Sequence, residues 1–413
     1  MSQISSGNGP HVLRTLNATA VLTALRGHGP ARIADLVGAT GLSRPAVSRA
    51  LDALRDAGWI IDADPTDPAD ATRLGRPAQR VRFHAESGYV LGIDVGPHKI
   101  LAMLADLAGV VVAERRADTH RLTGAGPVLD AVRDTVTEVL AAAEVAADAV
   151  VSTVVGTPGL VDPDGTVRLA PSIPGWAGIP IATELRGVVS GPLHLYNDVN
   201  LAVLAERWRG AATDADTLLF LQWGARIGAG ILIGGQLHRG AAAAAGEIGF
   251  LDLADEPTGT PGATMGPFER EVAASALIDA ALAEAGKRGD AELTERLSRA
   301  RDTADTTPLF AAARAGNPAA VAAIDRIAAR LARGLAAACL VLDPDLVVIG
   351  GGVSRAGDIL LAAVERHLRA RTLVPPPLAL SALGDTAVAL GAIRSALDDV
   401  EQRLLTTNPL AGR

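Results

Sequence analysis

The sequence predicts a mixed α/β protein in two parts, and three observations support this fold class. Residues 1–86 contain three short helical patterns followed by two apolar stretches around a loop rich in proline, aspartate and arginine. From residue 87 onward, glycine-punctuated apolar strands alternate with alanine-rich helices, which is typical of α/β architecture. At 413 residues the chain is longer than one hydrophobic core usually organises, so more than one domain is expected.

The first part has the spacing of a helix-turn-helix. Apolar residues at helical spacing predict helices over residues 13–25 and 32–37, with a turn at Gly41. Ser43 is expected to cap a third helix that has Pro45 in its first turn, a position that proline tolerates. The inward positions of this third helix are Val47, Leu51 and Leu54. The outward positions, which would meet the major groove of DNA, are Ser43, Arg44, Ser48 and Arg49.

Two strands are expected after this helix, over residues 59–61 and 80–83, joined by a loop over 62–79. Together with the helices they would form a winged helix-turn-helix. Within the loop, Gly75-Arg76-Pro77 offers an extended tip, and Arg76 could enter a narrow minor groove, where the negative potential is enhanced. A solvated loop arginine is the alternative for Arg76, and an ordinary three-helix protein–protein module is the alternative for the whole block.

The distribution of charge and the cysteine content indicate which partners and which cellular compartment to expect. The net charge is −8, but residues 1–86 carry ten arginines, no lysine and eight acids. Arginine suits phosphate and base contacts, although a compositional bias toward arginine would give the same excess. The single cysteine, Cys339, excludes a disulfide within one chain. With apolar runs that are broken before membrane-spanning length, the expectation is a cytoplasmic protein with no membrane partner.

The second part opens with three strands followed by a helix, which is the order found in one lobe of an actin-like fold. The predicted strands cover residues 90–95, 100–106, 110–115, 150–156, 193–197, 217–223, 228–233 and 346–350. The predicted helices cover residues 126–146, 199–209, 269–285, 318–342, 356–371 and 386–396.

Four blocks in this part carry a family resemblance. They are Gly92 to Gly96, Thr157 to Asp162 with Pro174-Gly175-Trp176, Asn197-Asp198, and Gly228 through His238-Arg239-Gly240 to Gly249. In this order they resemble the ROK family (repressor, open reading frame, kinase), and residues 343–354 look like its adenosine-side turn. The resemblance implies a two-lobed actin-like (ribonuclease H-like ATPase) ROK domain over 87–413. Lobe one would cover about 87–198 and 386–400, and lobe two about 199–385.

The chain departs from the kinases of that family at both phosphate-binding turns. Such kinases use a glycine turn in each lobe to bring backbone N–H groups to phosphate oxygens. In the first turn, Pro97 has no N–H and His98 is bulky where a small hydroxyl belongs. In the second, Ala225 lacks the hydroxyl and Arg226 places a guanidinium where the family has glycine. We expect Arg226 to fill this space and pair with an acid, although it could bind phosphate itself.

The resemblance implies a sugar pocket that is only partly kept. Its expected ligand contacts are Gly159, Ser172, Asn197, Asp198, Glu247, Phe250 and Glu269. Asp198 matches the catalytic base of the family and is expected to act as a hydrogen-bond acceptor for ligand, with a helix N-cap formed with Asn197 as the alternative. Phe250 replaces a histidine and either stacks on a sugar ring or, as the preferred interpretation, fills the core.

A metal site and a cofactor are not expected. The structural zinc site of the family combines the histidine that Phe250 replaces with three cysteines in a short segment. Residues 251–268 contain neither cysteine nor histidine, so a tetrahedral site cannot be assembled from them.

The sequence therefore favours a regulator without enzyme activity over an enzyme. The hypothesis is a transcriptional repressor that binds operator DNA through residues 1–86 and a carbohydrate effector between its lobes, as a homodimer or homotetramer. The alternatives are an active ROK sugar kinase with an appended DNA-binding head, and a DNA-binding scaffold that needs no ligand.

Overall fold

A computed structural model describes residues 9–63, 80–254, 258 and 264–406. The first of its parts, the head, contains three helices and three strands. These elements are α1 (Gly9–His28), β1 (Ala31–Arg32), α2 (Ile33–Thr40), α3 (Arg44–Asp56), β2 (Ile60–Asp62) and β3 (Arg80–Phe83). The strands form one antiparallel sheet in the order β1–β3–β2, with Ile60 opposite Phe83. The predicted winged helix-turn-helix is confirmed.

Local signals set the turn between α2 and α3. Gly41 ends α2 in the left-handed conformation, with φ of 68°, and the Ser43 hydroxyl accepts a hydrogen bond from the Ala46 N–H at 3.4 Å. The predicted inward positions of α3 are all buried: Val47, Leu51 and Leu54. Residues 64–79, which contain Arg76, lie outside the described part of the chain.

Lobe one is built on a five-stranded sheet. Its elements are β4 (Tyr89–Val95), β5 (Lys99–Asp106), β6 (Val111–Asp118), α4 (Ala125–Ala142), β7 (Val150–Thr157), β8 (Leu160–Val161), β9 (Val167–Leu169), α5 (Ile181–Glu184) and β10 (Leu193–Asn197). The strand order is β10–β7–β4–β5–β6. β4, β5 and β6 form an antiparallel meander, whereas β7 and β10 run parallel to β4. The carboxyl ends of β4, β7 and β10 therefore meet at one edge of the sheet.

Lobe two contains a second five-stranded sheet in the order β13–β12–β11–β14–β15. The helix α6 (Asp198–Arg209) connects the two lobes. The elements after it are β11 (Leu218–Trp223), β12 (Ile227–Ile233), β13 (Gln236–Leu237), α7 (Pro267–Val272), α8 (Ala274–Arg288), α9 (Ala291–Ala300), α10 (Thr307–Arg314), α11 (Pro318–Leu342), β14 (Leu346–Gly350), α12 (Asp358–Arg369), β15 (Leu378–Leu380) and α13 (Ala387–Val400). The two-sheet α/β architecture confirms the predicted fold class.

The final helix, α13, packs against α6 and the sheet of lobe one through glycines. A Cβ on Gly391 would lie 1.8 Å from the Leu201 carbonyl oxygen, and one on Gly92 would lie 2.5 Å from the Ala389 carbonyl oxygen. The backbone of α13 lies in direct contact with those of α6 and β4, and only glycine, which has no Cβ, allows this approach. The buried residues of the head belong to the same continuous hydrophobic cluster as α6 and α13.

Two predictions of secondary structure need correction. The single helix predicted over residues 269–285 is divided into α7 and α8 at Ala273, which has an extended ψ of 169°. Two short helices in lobe two, α9 and α10, were not predicted. Of the helices in the described residues, none is long and apolar enough to cross a membrane.

Candidate functional site

The first glycine turn, residues 96–98, follows β4, where Asp94 is buried. The Lys99 Nζ lies 2.9 Å from Asp94 Oδ2 and also donates a hydrogen bond to the Asp385 carbonyl. Burial raises the pKa of Asp94, and the neighbouring Lys99 opposes that rise. The Asp94 carboxylate at the end of β4 is therefore paired with a lysine of the same chain.

The second glycine turn, residues 224–226, is held by a buried acid. Arg226 Nε lies 2.9 Å from Glu269 Oε1, and Arg226 Nη2 donates to the Thr264 carbonyl at 2.6 Å. The same Glu269 oxygen accepts the Ile227 N–H at 2.8 Å. Arg226 thus pairs with an acid, as predicted. Because Glu269 is 1 % exposed and already has these two partners, its placement does not support the predicted ligand contact.

Asn197 and Asp198 stand where β10 ends and α6 begins. Asn197 is the N-cap of α6: its Oδ1 accepts the Asn200 N–H at 3.1 Å, and its Nδ2 donates to the Gly159 carbonyl at 3.0 Å. The capping role weighed for this pair therefore falls to Asn197. Asp198 Oδ1 accepts the Val199 N–H at 2.9 Å, and among the described residues no partner is recorded for Oδ2.

The electrostatic surroundings of Asp198 differ from those of the two turns. Burial, the Asp94 carboxylate and the Glu247 carboxylate raise the pKa of Asp198 to about 7. Burial, followed by the nearby Glu269, also raises the pKa of Glu247. Within the described residues neither acid has a cation in direct contact, although the charge of Arg226 partly opposes the rise at Glu247. The raised pKa of each acid favours its protonated form, which can both donate and accept hydrogen bonds.

Gly159 is required by the packing of its own loop. Its φ is 99°, and a Cβ there would lie 1.8 Å from the Leu169 carbonyl oxygen. Since its carbonyl accepts the Asn197 amide, Gly159 positions Asn197. Ser172 is half-buried in the segment after β9. Four residues later, the indole N–H of the buried Trp176 donates to Thr157 Oγ1 at 2.7 Å.

Phe250 lies at the end of the short helical turn Ile248–Phe250, three residues after Glu247. The side chain is 44 % exposed. The preferred interpretation of Phe250 as a core residue is therefore wrong, because a core phenylalanine would be removed from solvent. An exposed aromatic beside Glu247 keeps ring stacking open as its role.

A cavity of about 480 Å³ lies between the two glycine turns and α10. Small side chains and backbone leave this space open. Its lining includes His98, Gly224, Ala225, Phe310, Arg314 and Arg355. Arg226 does not line it, because its guanidinium is directed to Glu269. In the part of the chain that the structure describes, no group of three or more His, Cys, Asp or Glu side chains could hold a metal ion.

The predicted DNA-facing residues occupy one side of the head. Ser43, Arg44 and Arg49 are exposed, and Ser48 is half-buried. The Ser43 hydroxyl already serves as the α3 cap, so it has less freedom to contact DNA than the two arginines. Arg76, the predicted minor-groove residue, lies outside the described residues.

Sequence reasoning missed the contacts that join the lobes beside the candidate site. Arg239 of lobe two donates to the Val161 carbonyl at 3.2 Å and lies 5.0 Å from the centroid of the Tyr196 ring. From lobe one, Arg168 donates to the Ala242 carbonyl at 2.7 Å. The signal was present for Arg239, because it lies within one of the glycine-rich blocks, but its partners are distant in sequence.

Comparisons with known proteins cover both parts of the chain. A model of the ROK family matches residues 90–398, and a model of the MarR family matches residues 14–67. A glucokinase from Thermotoga maritima is 32 % identical over 68 % of this chain and 86 % of its own length. A xylose repressor from Caldicellulosiruptor bescii is 25 % identical over 87 % of this chain and 90 % of its own length.

A crystal structure of a ROK family transcriptional regulator, a homolog of the E. coli MLC protein, resembles nearly the whole fold. The TM-score is 0.73 at 23 % identity, over 97 % of this chain and all of the other. Head and lobes therefore occur together in a known arrangement.

Proposed function

The chain belongs to the ROK family, and from that membership we propose that it is a transcriptional repressor that binds operator DNA with its head and is released by a sugar. The observation that carries this proposal is the extent of the likeness. The glucokinase match covers 68 % of the chain, whereas the xylose repressor match covers 87 %, which is more than residues 90–413 can supply. Resemblance to the repressor thus includes part of the DNA-binding head.

The proposed operator contact is the exposed face of α3, with Arg44 and Arg49 reaching base edges or phosphates. One helix-turn-helix reads only a few base pairs, so a homodimer or homotetramer on a pseudo-palindromic site is part of the proposal. The wing arginine, Arg76, is proposed as a minor-groove contact on the sequence alone.

The proposed ligand is a neutral sugar or sugar derivative held by Asp198, Glu247 and the Phe250 ring. Two acids with raised pKa values and, within the described residues, no cation in contact suit hydroxyl groups, which donate and accept hydrogen bonds without carrying charge. Release from DNA by about a hundredfold would need a coupling free energy of roughly 2–3 kcal/mol between ligand and DNA sites, which is within the usual range.

Loss of phosphoryl transfer is also part of the proposal. Transfer depends on positioning and on stabilising the charge of the phosphoryl group. Pro97 cannot donate a backbone N–H, and the cation of the second turn, Arg226, is directed to Glu269 at 2.9 Å.

The second candidate is a working sugar kinase with a DNA-binding head, and one observation favours it. The cavity of about 480 Å³ between the two turns leaves room for a nucleotide-sized molecule. Incubating the purified protein with Mg-ATP and a panel of hexoses and pentoses separates the two. Sugar-dependent ADP release that Asp198→Asn abolishes would establish the kinase and reject the repressor without catalysis.

The repressor proposal is tested by selecting bound fragments from genomic DNA and adding single sugars to the complex. We expect one DNA motif to be enriched and one sugar to release it. Arg49→Ala should weaken binding to that motif by about 1–3 kcal/mol if Arg49 reads a base. An equal loss on unrelated DNA would make Arg49 a phosphate contact. Release by no sugar, together with no thermal stabilisation by any of them, would favour a scaffold without ligand control.

A further inference from the structure

A carboxylate at the C-terminal end of α13 joins the head to the sensor domain. Glu401 Oε1 lies 2.5 Å from Arg26 Nη2, in the last turn of α1, and 3.0 Å from Arg394 Nη2, two helical turns earlier on α13. The three side chains are 21 %, 34 % and 21 % exposed for Arg26, Glu401 and Arg394. The carboxylate is thus shared between the head and the sensor domain, and is mostly shielded from water.

The shared carboxylate is held as an anion. Burial raises the pKa of Glu401, but the hydrogen bond and charge of Arg26, with those of Arg394, outweigh burial and leave this pKa below its usual value. Arg26 also lies over the Phe83 ring of the head, 5.6 Å from its centroid. Arg26 is therefore ordered from both sides, which lowers the entropy cost of holding the ion pair.

From Arg394 the contacts continue to α6. The Arg394 guanidinium lies 5.6 Å from the centroid of the Trp208 ring, near the C-terminal end of α6. Trp208 is wedged against the β5–β6 turn, where a Cβ on Gly109 would lie 2.8 Å from it. The next residue, Arg209, donates to the Gly109 carbonyl at 2.9 Å. This end of α6 is therefore packed against both α13 and the β5–β6 turn.

The other end of α6 begins at Asp198. A rigid helix that starts in the candidate ligand site and ends beneath Arg394 can carry a displacement along its length. The contact between Gly391 and the Leu201 carbonyl packs α13 directly on α6, so a displacement of one helix presses on the other. Coupling between two sites needs such a continuous element, whose position both sites can influence.

We define the Glu401 relay as the side chains Trp208, Arg394, Glu401 and Arg26. We propose that this relay fixes the angle of the head relative to α6 and α13, so that a shift of α6 at its ligand end is transmitted to DNA. Transmission to DNA rests on the proposed function, whereas fixing of the head does not. The relay requires the ion pair across the interface, not only the apolar contact below it.

The head angle can be measured without ligand or DNA. Spin labels on Ala39→Cys in the head and Glu138→Cys on α4 report it, since both positions are exposed. Cys339 is buried and burial raises its pKa to about 11, so its thiol stays unlabelled. In the otherwise unchanged chain we expect one dominant distance. Glu401→Gln and Arg26→Gln should each increase the population away from this distance about fivefold.

Matched variants separate the relay from a general loss of stability. The double variant Arg26→Gln with Glu401→Gln should be no worse than either single variant, because both remove the same contact. Arg369→Gln removes an exposed pair with Glu365 on α12 and should leave the distance unchanged. If Glu401→Gln does not fold, Arg26→Gln decides alone, since it keeps the Arg394–Glu401 pair of the sensor domain. Unchanged distances in the folded variants would overturn the relay.

A second measurement tests transmission. Operator affinity is determined with and without D-xylose and D-glucose as probes, for the unchanged chain and for Arg26→Gln. If one probe weakens operator binding by the unchanged chain, the variant should lose at least half of that effect, on the logarithmic scale, while keeping the thermal stabilisation by the sugar. A full effect in the variant would reject transmission through the relay. If neither probe acts on the unchanged chain, release by these two sugars fails, while the spin-label distances still decide the fixing of the head.

Discussion

Two pairs of acids in the candidate site differ in whether a cation contacts them. At the glycine turns, Asp94 is paired with Lys99 and Glu269 with Arg226, at 2.9 Å each. Within the described residues, Asp198 and Glu247 have no cation in contact, and burial and neighbouring carboxylates raise the pKa of both. Lys99 and Arg226 are already paired within the chain, so they have little to offer a ligand that carries phosphate. The unpaired acids are the groups that the polar atoms of a ligand can satisfy.

The largest expected effect on stability comes from breaking the pair between Arg226 and Glu269. Glu269→Ala leaves the Arg226 guanidinium and the Ile227 N–H without their partner, so the free energy of unfolding should fall by about 3 kcal/mol. Glu269→Gln keeps an acceptor for the N–H and should cost less. Urea denaturation measures both. The matched control is Glu271→Ala, which removes an exposed pair with Arg333 and should cost less than about 1 kcal/mol.

An equal loss in Glu269→Ala and Glu271→Ala would show that burial of the Arg226 pair does not matter. The second glycine turn would then be free to open, and the contrast between the paired and the unpaired acids would be lost.

A smaller effect on stability, which depends on pH, is expected at Asp198. Because the pKa of Asp198 rises from 3.8 to about 7 on folding, the folded protein binds this proton more tightly than the unfolded chain. The stability that depends on it is fully present below pH 3.8 and is lost as the pH rises through about 7. Asp198→Asn should therefore be more stable than the unchanged chain by on the order of 2 kcal/mol at pH 8 and equal to it at pH 3.8.

Denaturation curves over this pH range test the prediction, with the exposed Asp302→Asn as control. The control should follow the unchanged chain at every pH. If Asp198→Asn also follows the unchanged chain at every pH, folding does not raise the pKa of Asp198. Asp198 would then not differ from the acids that are paired with a cation.

The smallest expected effect is on turnover. Restoring the second turn with Ala225→Thr and Arg226→Gly, together with Glu269→Gln to avoid a buried unpaired charge, should give no sugar-dependent ADP release. The first turn still lacks a backbone N–H at Pro97, and Lys99 is still paired with Asp94. A coupled enzyme assay measures this. Turnover in the triple variant would show that the second turn alone had disabled the site.

The sequence predicted those features that depend on neighbouring residues. The predicted bounds of α11, residues 318–342, match the structure, in which Asn317 caps the helix, Pro318 takes its first position and Asp343 ends it in the left-handed conformation. α9 was missed although Asp290 caps it and Leu293 and Leu297 lie at helical spacing. The break at Ala273 between α7 and α8 has no glycine or proline to signal it.

Within the site, the residue types were predictable but their partners were not. The replacement of glycine by Arg226 indicated that some acid must neutralise it, whereas Glu269 had been expected to contact ligand. Lys99 was not among the predicted site residues, although it pairs with Asp94 at 2.9 Å. The Arg26–Glu401 contact joins residues 375 positions apart, which the packing of the head against the sensor domain brings together.

The direct backbone contact between Gly391 and Leu201 also bears on genetics. Any side chain added at Gly391 must push α13 away from α6 at Leu201, three residues along α6 from Asp198. Under the proposed function, mutants that no longer respond to a sugar should therefore include substitutions at Gly391 and Leu201, where α13 and α6 meet.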